Sequence, residues 1–232
     1  MLNENDLEIE INNAFNSKEN LRPKVESMFA MQDALNTLID PDWTSHQHWD
    51  FQRATMVELV ELMDHYGYKW WKKQEPNLEQ CKLEIIDIAH FHISYLIQKS
   101  IREGNQYDFC VDDFLSKLTP IQYEINPEVV RSVIDEAVYF ASVKEFSTEV
   151  LALLMNVFEI TPEVLCNHYI VKNTLNIFRA KNGYKSGSYI KTWNGKEDNE
   201  VLLEVYSTTN QSSSTLADDL YSKLEEAYKE VA

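Results

Sequence analysis

The chain has 232 residues, 44% of them hydrophobic and 12% aromatic, enough to bury the core of one large domain and too apolar for a disordered protein. Five glycines and six prolines are few for this length and point to helices throughout. A formal net charge of −17 repels nucleic acid and anionic membrane from any surface without a local basic patch, and three scattered cysteines with no C-x-x-C spacing exclude a disulfide framework or a cysteine zinc site.

Residues 1–20 are polar and acidic and read as a loosely held arm or a first short helix. They contain no apolar signal segment, and no apolar run in the chain reaches membrane-spanning length, so a cytoplasmic protein is expected. From Val25 to Ile39, Met28, Met31, Leu35 and Leu38 recur at helical spacing, until Asp40-Pro41-Asp42 stops the pattern. A loop with Trp43, His46, His48 and Trp49 follows. Phe51 to Tyr66 is a helix with the stripe Met56, Leu59, Val60 and Met63, ended by Gly67. KWWKKQEPN connects it to a helix from Leu78 to about Lys99, anchored by Leu83, Ile86, Ile93 and Ile97 and broken at Gly104-Asn105. Residues 108–118 and 127–158 read as further helices. Thr161-Pro162-Glu163 has the order of an N-cap, a first helical position and a first-turn acid, so another helix runs to about Arg179. NGYKSGSYIKTWNGKEDN reads as an ordered loop with specific turns. Residues 207–215 read as a linker, and Leu216 to Val231 as a last amphipathic helix. The expected organisation is an arm over 1–20, one all-α domain over 21–206, and a Ser/Thr-rich linker with a C-terminal helix over 207–232.

Two acidic pairs carry the chemistry, Glu58-x-x-Glu61 and Glu84-x-x-Asp87. A spacing of three places each pair on one helix face, one turn apart. One such pair alone is usually a solvated face. Two helices packed face to face would gather four carboxylates, which stay ionised in a partly buried space only with cations, and Mg²⁺ is the usual partner where phosphates are handled. Residues 172–196 support that direction: Lys172, Arg179, Lys181, Lys185, Lys191 and Lys196 occur there with no acid, and three glycines would let backbone N–H groups approach an anion. A di-iron bundle would need a second partner for Asp87-x-x-His90, which the chain lacks. His46-x-His48 and His90-x-His92 have no third zinc ligand nearby, and there is no P-loop. Trp70 and Trp71, flanked by Lys69, Lys72 and Lys73, serve either as packing or interface residues or as a flat wall for a nucleobase.

MVELVELMDHYGYKWWKK, LEIIDIAHF and KNTLNIFRAKNGYKSGSYIKTWNGKEDN together resemble the dimeric all-α dUTP pyrophosphatases, within the all-α nucleoside triphosphate pyrophosphatase group. The resemblance covers roughly residues 28–200. It implies an all-α helical bundle, active as a homodimer, that hydrolyses dUTP and also dUDP to dUMP. It implies Mg²⁺ as the cofactor, two or more ions with Mn²⁺ as a substitute, held by Glu58, Glu61, Glu84 and Asp87. Glu58 and Glu61 would be catalytic, one of them, Glu58 for preference, orienting or deprotonating the attacking water. Asn176, Arg179, Tyr184, Lys191 and Asn199 would hold the phosphates. MQDALN resembles the uracil-reading helix, with Gln32 and Asn36 as readers, and Trp70, Trp71 and Tyr66 are candidates for the walls of the base and sugar pocket. Ala89, Tyr68 and Asp33 depart from the family pattern and leave a relative that accepts dCTP or other noncanonical nucleotides as an alternative. An acidic interaction protein, such as a DNA mimic, is the rival of another class. The basic stretch 172–196 argues against it. Neither nucleic acid nor membrane is expected as a partner.

Overall fold

A computed structural model describes residues 4–46, 48–105, 107–118, 125–210 and 215–231, and the side chains of all of these except 4–20 and 107–109. The described residues form nine helices: α1 (Glu4–Ile39), α2 (Phe51–Tyr66), α3 (Leu78–Glu103), α4 (Tyr107–Lys117), α5 (Pro127–Ser142), α6 (Thr148–Val157), α7 (Pro162–Lys181), α8 (Asp198–Ser207) and α9 (Leu216–Lys229). A 3₁₀ turn occupies Trp43–Ser45, and β1 (Thr192–Trp193) pairs antiparallel with β2 (Lys196–Glu197). The described residues are all-α apart from this short hairpin.

The helix ends follow local side-chain chemistry. Asp50 accepts from the Arg53 N–H at the start of α2, and Asn77 from the Gln80 N–H at the start of α3. Asn126 and Thr161 do the same for α5 and α7, each followed by a proline at the first helical position. Gly67 ends α2 at φ +92°, and Gly104 closes α3 in the left-handed region.

The central unit is the α2–α3 pair, with Leu59, Leu62, Ile85, Ile86 and Ile88 sealed in the core. α1 and α7 cross it on one side, and α5 and α6 cover the other. Gln52 pins the turn between α5 and α6 from α2, donating to the Phe146 carbonyl and accepting from its N–H, both at 3.1 Å. A second apolar cluster lies on the far side of α7, where Val171, Leu175 and Phe178 meet Trp193, Leu202, Leu220, Leu224 and Tyr228.

Two features differ from the sequence expectation. Residues 4–20 continue into α1 as one helix that runs through Pro23. The glycine-containing stretch after α7 holds a hairpin and leads directly into α8. Residues 211–214 of the expected linker lie outside the described residues. No helix among the described residues is long and apolar enough to cross a membrane.

Candidate active site

α2 and α3 lie side by side, which brings Glu58, Glu84 and Asp87 together with ligand oxygens within 4.8 Å of one another. Burial raises the Glu58 and Glu84 carboxyls above the usual carboxylate range, and the mutual repulsion of the cluster adds to it. Glu61 sits one turn beyond Glu58 on the same helix. Its side chain is exposed and stands outside the group of three, though its charge still bears on Glu58. His65 Nε2 lies 3.4 Å from Glu84 Oε1. One cation is built in: Lys172 of α7, its side chain 3% exposed, reaches Asp87 Oδ2 at 2.8 Å and donates to Asn199 Oδ1 at 2.9 Å. Three carboxylates against one lysine leave negative charge in a poorly solvated space. Oxygen-only donors there fit a hard divalent cation.

The carboxylates open into a cavity of ≈ 490 Å³, a size typical of small-molecule sites. Glu58 and Asp87 line it. So do Asn176 and Arg179 from the last turns of α7, with Tyr184 and Lys185 from the following loop. Gln32 and Asn36 of α1, with His90 and Phe91 of α3, add further polar and aromatic lining. Lys185 Nζ donates to the Ile39 carbonyl at 2.7 Å, tying the loop to the end of α1.

A model of the dUTPase family matches residues 24–184, about two thirds of the chain. The chain belongs to the dUTPase family. No curated protein matches it. This dUTPase is thus a dUTP diphosphatase by family, and the family's general dependence on metal agrees with its acidic cluster.

Gln32 and Asn36, which line the dUTPase cavity, belong to a polar network with a fixed sense. Ser94 Oγ donates to the His90 carbonyl at 2.9 Å, which can only accept. Ser94 Oγ must therefore accept from Gln32 Nε2 at 2.9 Å and Asn36 Nδ2 at 3.0 Å. Gln32 Nε2 spends its other N–H on Asn36 Oδ1, and Tyr169 OH donates to Gln32 Oε1 at 2.6 Å. One Asn36 N–H is left over. His90 stacks flat on Tyr169 at 3.8 Å, and its Nδ1 donates to the Ile86 carbonyl at 2.8 Å. Burial pushes the imidazole down to about 4, so it is neutral near pH 7, with a lone pair on Nε2 that has no partner.

Arg179, another lining residue, is itself held in place. Its Nε and Nη2 grip both oxygens of the fully buried Asp198 at 2.8 and 2.7 Å, while Nη1 reaches Asn176 Oδ1 at 3.3 Å. Tyr189 OH donates to Asp198 Oδ2 at 2.8 Å. The Tyr184 ring lies 5.7 Å from the guanidinium.

Of the residues singled out in the sequence, Gln32, Asn36, Glu58, Asp87, Asn176, Arg179 and Tyr184 line the cavity, and Glu84 stands beside it in the carboxylate group. Asn199 lies behind it, bonded to Lys172 and, at 3.4 Å, to Arg179. Others do not line it. Trp70 is 90% exposed and Trp71 60%, because the turn after α2 points outward. Tyr66 packs edge-on against Phe158 in the core. Lys191 pairs with Glu197 at 3.5 Å on an exposed hairpin. Asp33, a departure from the family pattern, accepts from the Trp43 indole at 3.1 Å, and Ala89 is fully buried. Sequence reasoning missed Lys172 as the partner of Asp87, the Ser94–Tyr169 network and Asp198. The only sequence signal for the first was its place in the acid-free stretch.

Proposed function

We propose that this dUTPase hydrolyses dUTP, and also dUDP, to dUMP with Mg²⁺ held by Glu58, Glu84 and Asp87 and by Glu61 at the outer edge. The observation that carries this is that one cavity is lined together by the amides Gln32 and Asn36, the carboxylates Glu58 and Asp87, and the cations Arg179 and Lys185. A bound divalent ion would supply charge neutralisation on the phosphates and lower the pKa of a bound water. In the reaction the α–β phosphoanhydride bond breaks, a water oxygen joins phosphorus, and pyrophosphate or phosphate leaves. Glu58, half-buried at the cavity wall, is the residue placed to take the water's proton. Arg179 and Asn176, with Tyr184 and Lys185, orient the polyphosphate.

Among the lining amides, the leftover Asn36 N–H suits a pyrimidine carbonyl. Uracil offers a carbonyl at C4 where cytosine carries an amine, so the network favours uracil over cytosine. Discrimination against dCTP is the finer reading supported here.

The exposed Val57 and Val60 on α2, next to Glu61, and the exposed Trp70 and Trp71 support pairing with a second copy. Cys81, Cys110 and Cys166 are buried free thiols, which supports a reducing, cytoplasmic setting.

The test is phosphate and pyrophosphate release from a panel of dNTPs with Mg²⁺ and with EDTA. Turnover of dUTP that EDTA abolishes, with dCTP poorly used, is expected. Glu61→Gln and Asp87→Asn should fold and lose turnover by about 100-fold or more, the scale of a lost transition-state charge contact. Full turnover in EDTA would remove the metal assignment.

A further inference from the structure

We propose that Asp198, held by Tyr189, is a positioning residue for Arg179. Neither Asp198 nor Tyr189 is among the residues lining the cavity, so whatever they contribute to the reaction passes through the guanidinium.

The geometry is that of a socket. Arg179 carries a long side chain that would otherwise sample many rotamers. Asp198 fixes its plane with two parallel bonds from Nε and Nη2, the bidentate arrangement that adds direction as well as strength. Asp198 is itself fixed. It is fully buried, its backbone N–H donates to the Lys191 carbonyl at 3.0 Å, and Tyr189 OH takes part of the second oxygen. The Tyr189 ring stacks on Tyr228 of α9 at 5.3 Å, and the neighbouring Ile190 N–H donates to Tyr228 OH at 3.0 Å. A line of contacts therefore runs from the last turn of α9 through Tyr189 and Asp198 to Arg179.

A buried ion pair is a weak source of net stability compared with apolar residues of similar size. Here it does something an apolar pair cannot: it turns the Nη1 edge towards Asn176 at the cavity wall. Asp198, Tyr189 and Tyr228 all lie beyond residue 184, outside the stretch that the family match covers.

The proposal rests on the reading that Arg179 meets the phosphates, and the test separates the two. Inorganic pyrophosphate is titrated calorimetrically into the full-length protein with Mg²⁺ present. The proteins compared are wild type, Arg179→Ala, Asp198→Asn, Tyr189→Phe and the double variant Arg179→Ala/Asp198→Asn, each with its melting temperature. Arg179→Ala should weaken binding, and unchanged binding there would remove the phosphate reading and this proposal with it. Asp198→Asn should weaken binding roughly tenfold, the scale of one charge-assisted hydrogen bond. Tyr189→Phe should shift it the same way by less, with its melting temperature little changed because the ring packing is kept. In the Arg179→Ala background Asp198→Asn should have no further effect. Additive losses, or pyrophosphate binding in Asp198→Asn as tight as in wild type or tighter, would overturn the positioning role. If Asp198→Asn does not fold, the Tyr189→Phe measurement decides by the same comparison.

Discussion

Glu58 and Glu84 take up protons more readily in the folded chain than in the unfolded one, because burial and each other's charge disfavour the ionised form. The native state then binds more protons than the unfolded state between the ordinary carboxylate pKa of 4.5 and about 8. Stability contributed by these groups is present at the acid end and falls as pH rises through that window. Without metal, a Glu58→Gln/Glu84→Gln variant should melt close to wild type near pH 5 and above it at pH 8. Thermal melts in EDTA across the window check this, and a constant difference between the two proteins would contradict it. A second residue-scale expectation concerns Ser94. Its hydroxyl sets the sense of both amides, and Ser94→Ala frees Gln32 and Asn36 to turn. The ratio of kcat/KM for dUTP over dCTP should fall by about tenfold, while turnover of dUTP persists, because the carboxylates are untouched.

At the scale of elements, α2 and α3 were legible because their ends are written locally in Asp50, Gly67, Asn77 and Gly104 and their faces in the apolar spacing. The pairing of Glu58 with Glu84 and Asp87 followed from that spacing once the helices lay side by side. What was not legible depends on contacts distant in sequence. Lys172 meets Asp87 only through the rotation of α7 against α3, and Arg179 meets Asp198 only because a hairpin folds back. The Asn194-Gly195 turn, with both residues at positive φ, was a local hairpin signal in the sequence that the ordered-loop reading did not use. Trp70 and Trp71, read as either an interface or a nucleobase wall, stand exposed and do not line the cavity, because nearness in chain to the carboxylate helix does not bring them to its site. The α2–α3 contact that positions the carboxylates has its own expected cost when loosened. Leu59 is fully buried at that contact, and Leu59→Ala should lower stability by about 3 kcal/mol, read by urea denaturation. The same variant should weaken metal binding, since the spacing between Glu58 and Glu84 relies on that packing.

For the whole molecule, a chain at −17 keeps copies apart unless an apolar contact draws them together. Val57 and Val60 are about half exposed on the outer side of α2, one turn or less from Glu61. The proposed pairing of copies through this face predicts that Val60→Asp shifts the protein towards monomer in sedimentation velocity at micromolar concentration, and that added salt strengthens association of the wild type by screening repulsion. A monomeric wild type, or association that survives Val60→Asp unchanged, would overturn the proposed pairing.

The order of α7 and α9 along the chain has a consequence for synthesis. A ribosome has made Glu58, Glu84 and Asp87, the whole of α7 and the residues of the family match before it reaches Leu216. Until then the Val171, Leu175 and Phe178 face of α7 lacks Leu220, Leu224 and Tyr228 to cover it. A nascent chain that has not yet reached α9 therefore carries the carboxylate cluster together with an uncovered apolar face on α7, which makes it a substrate for chaperones and proteases.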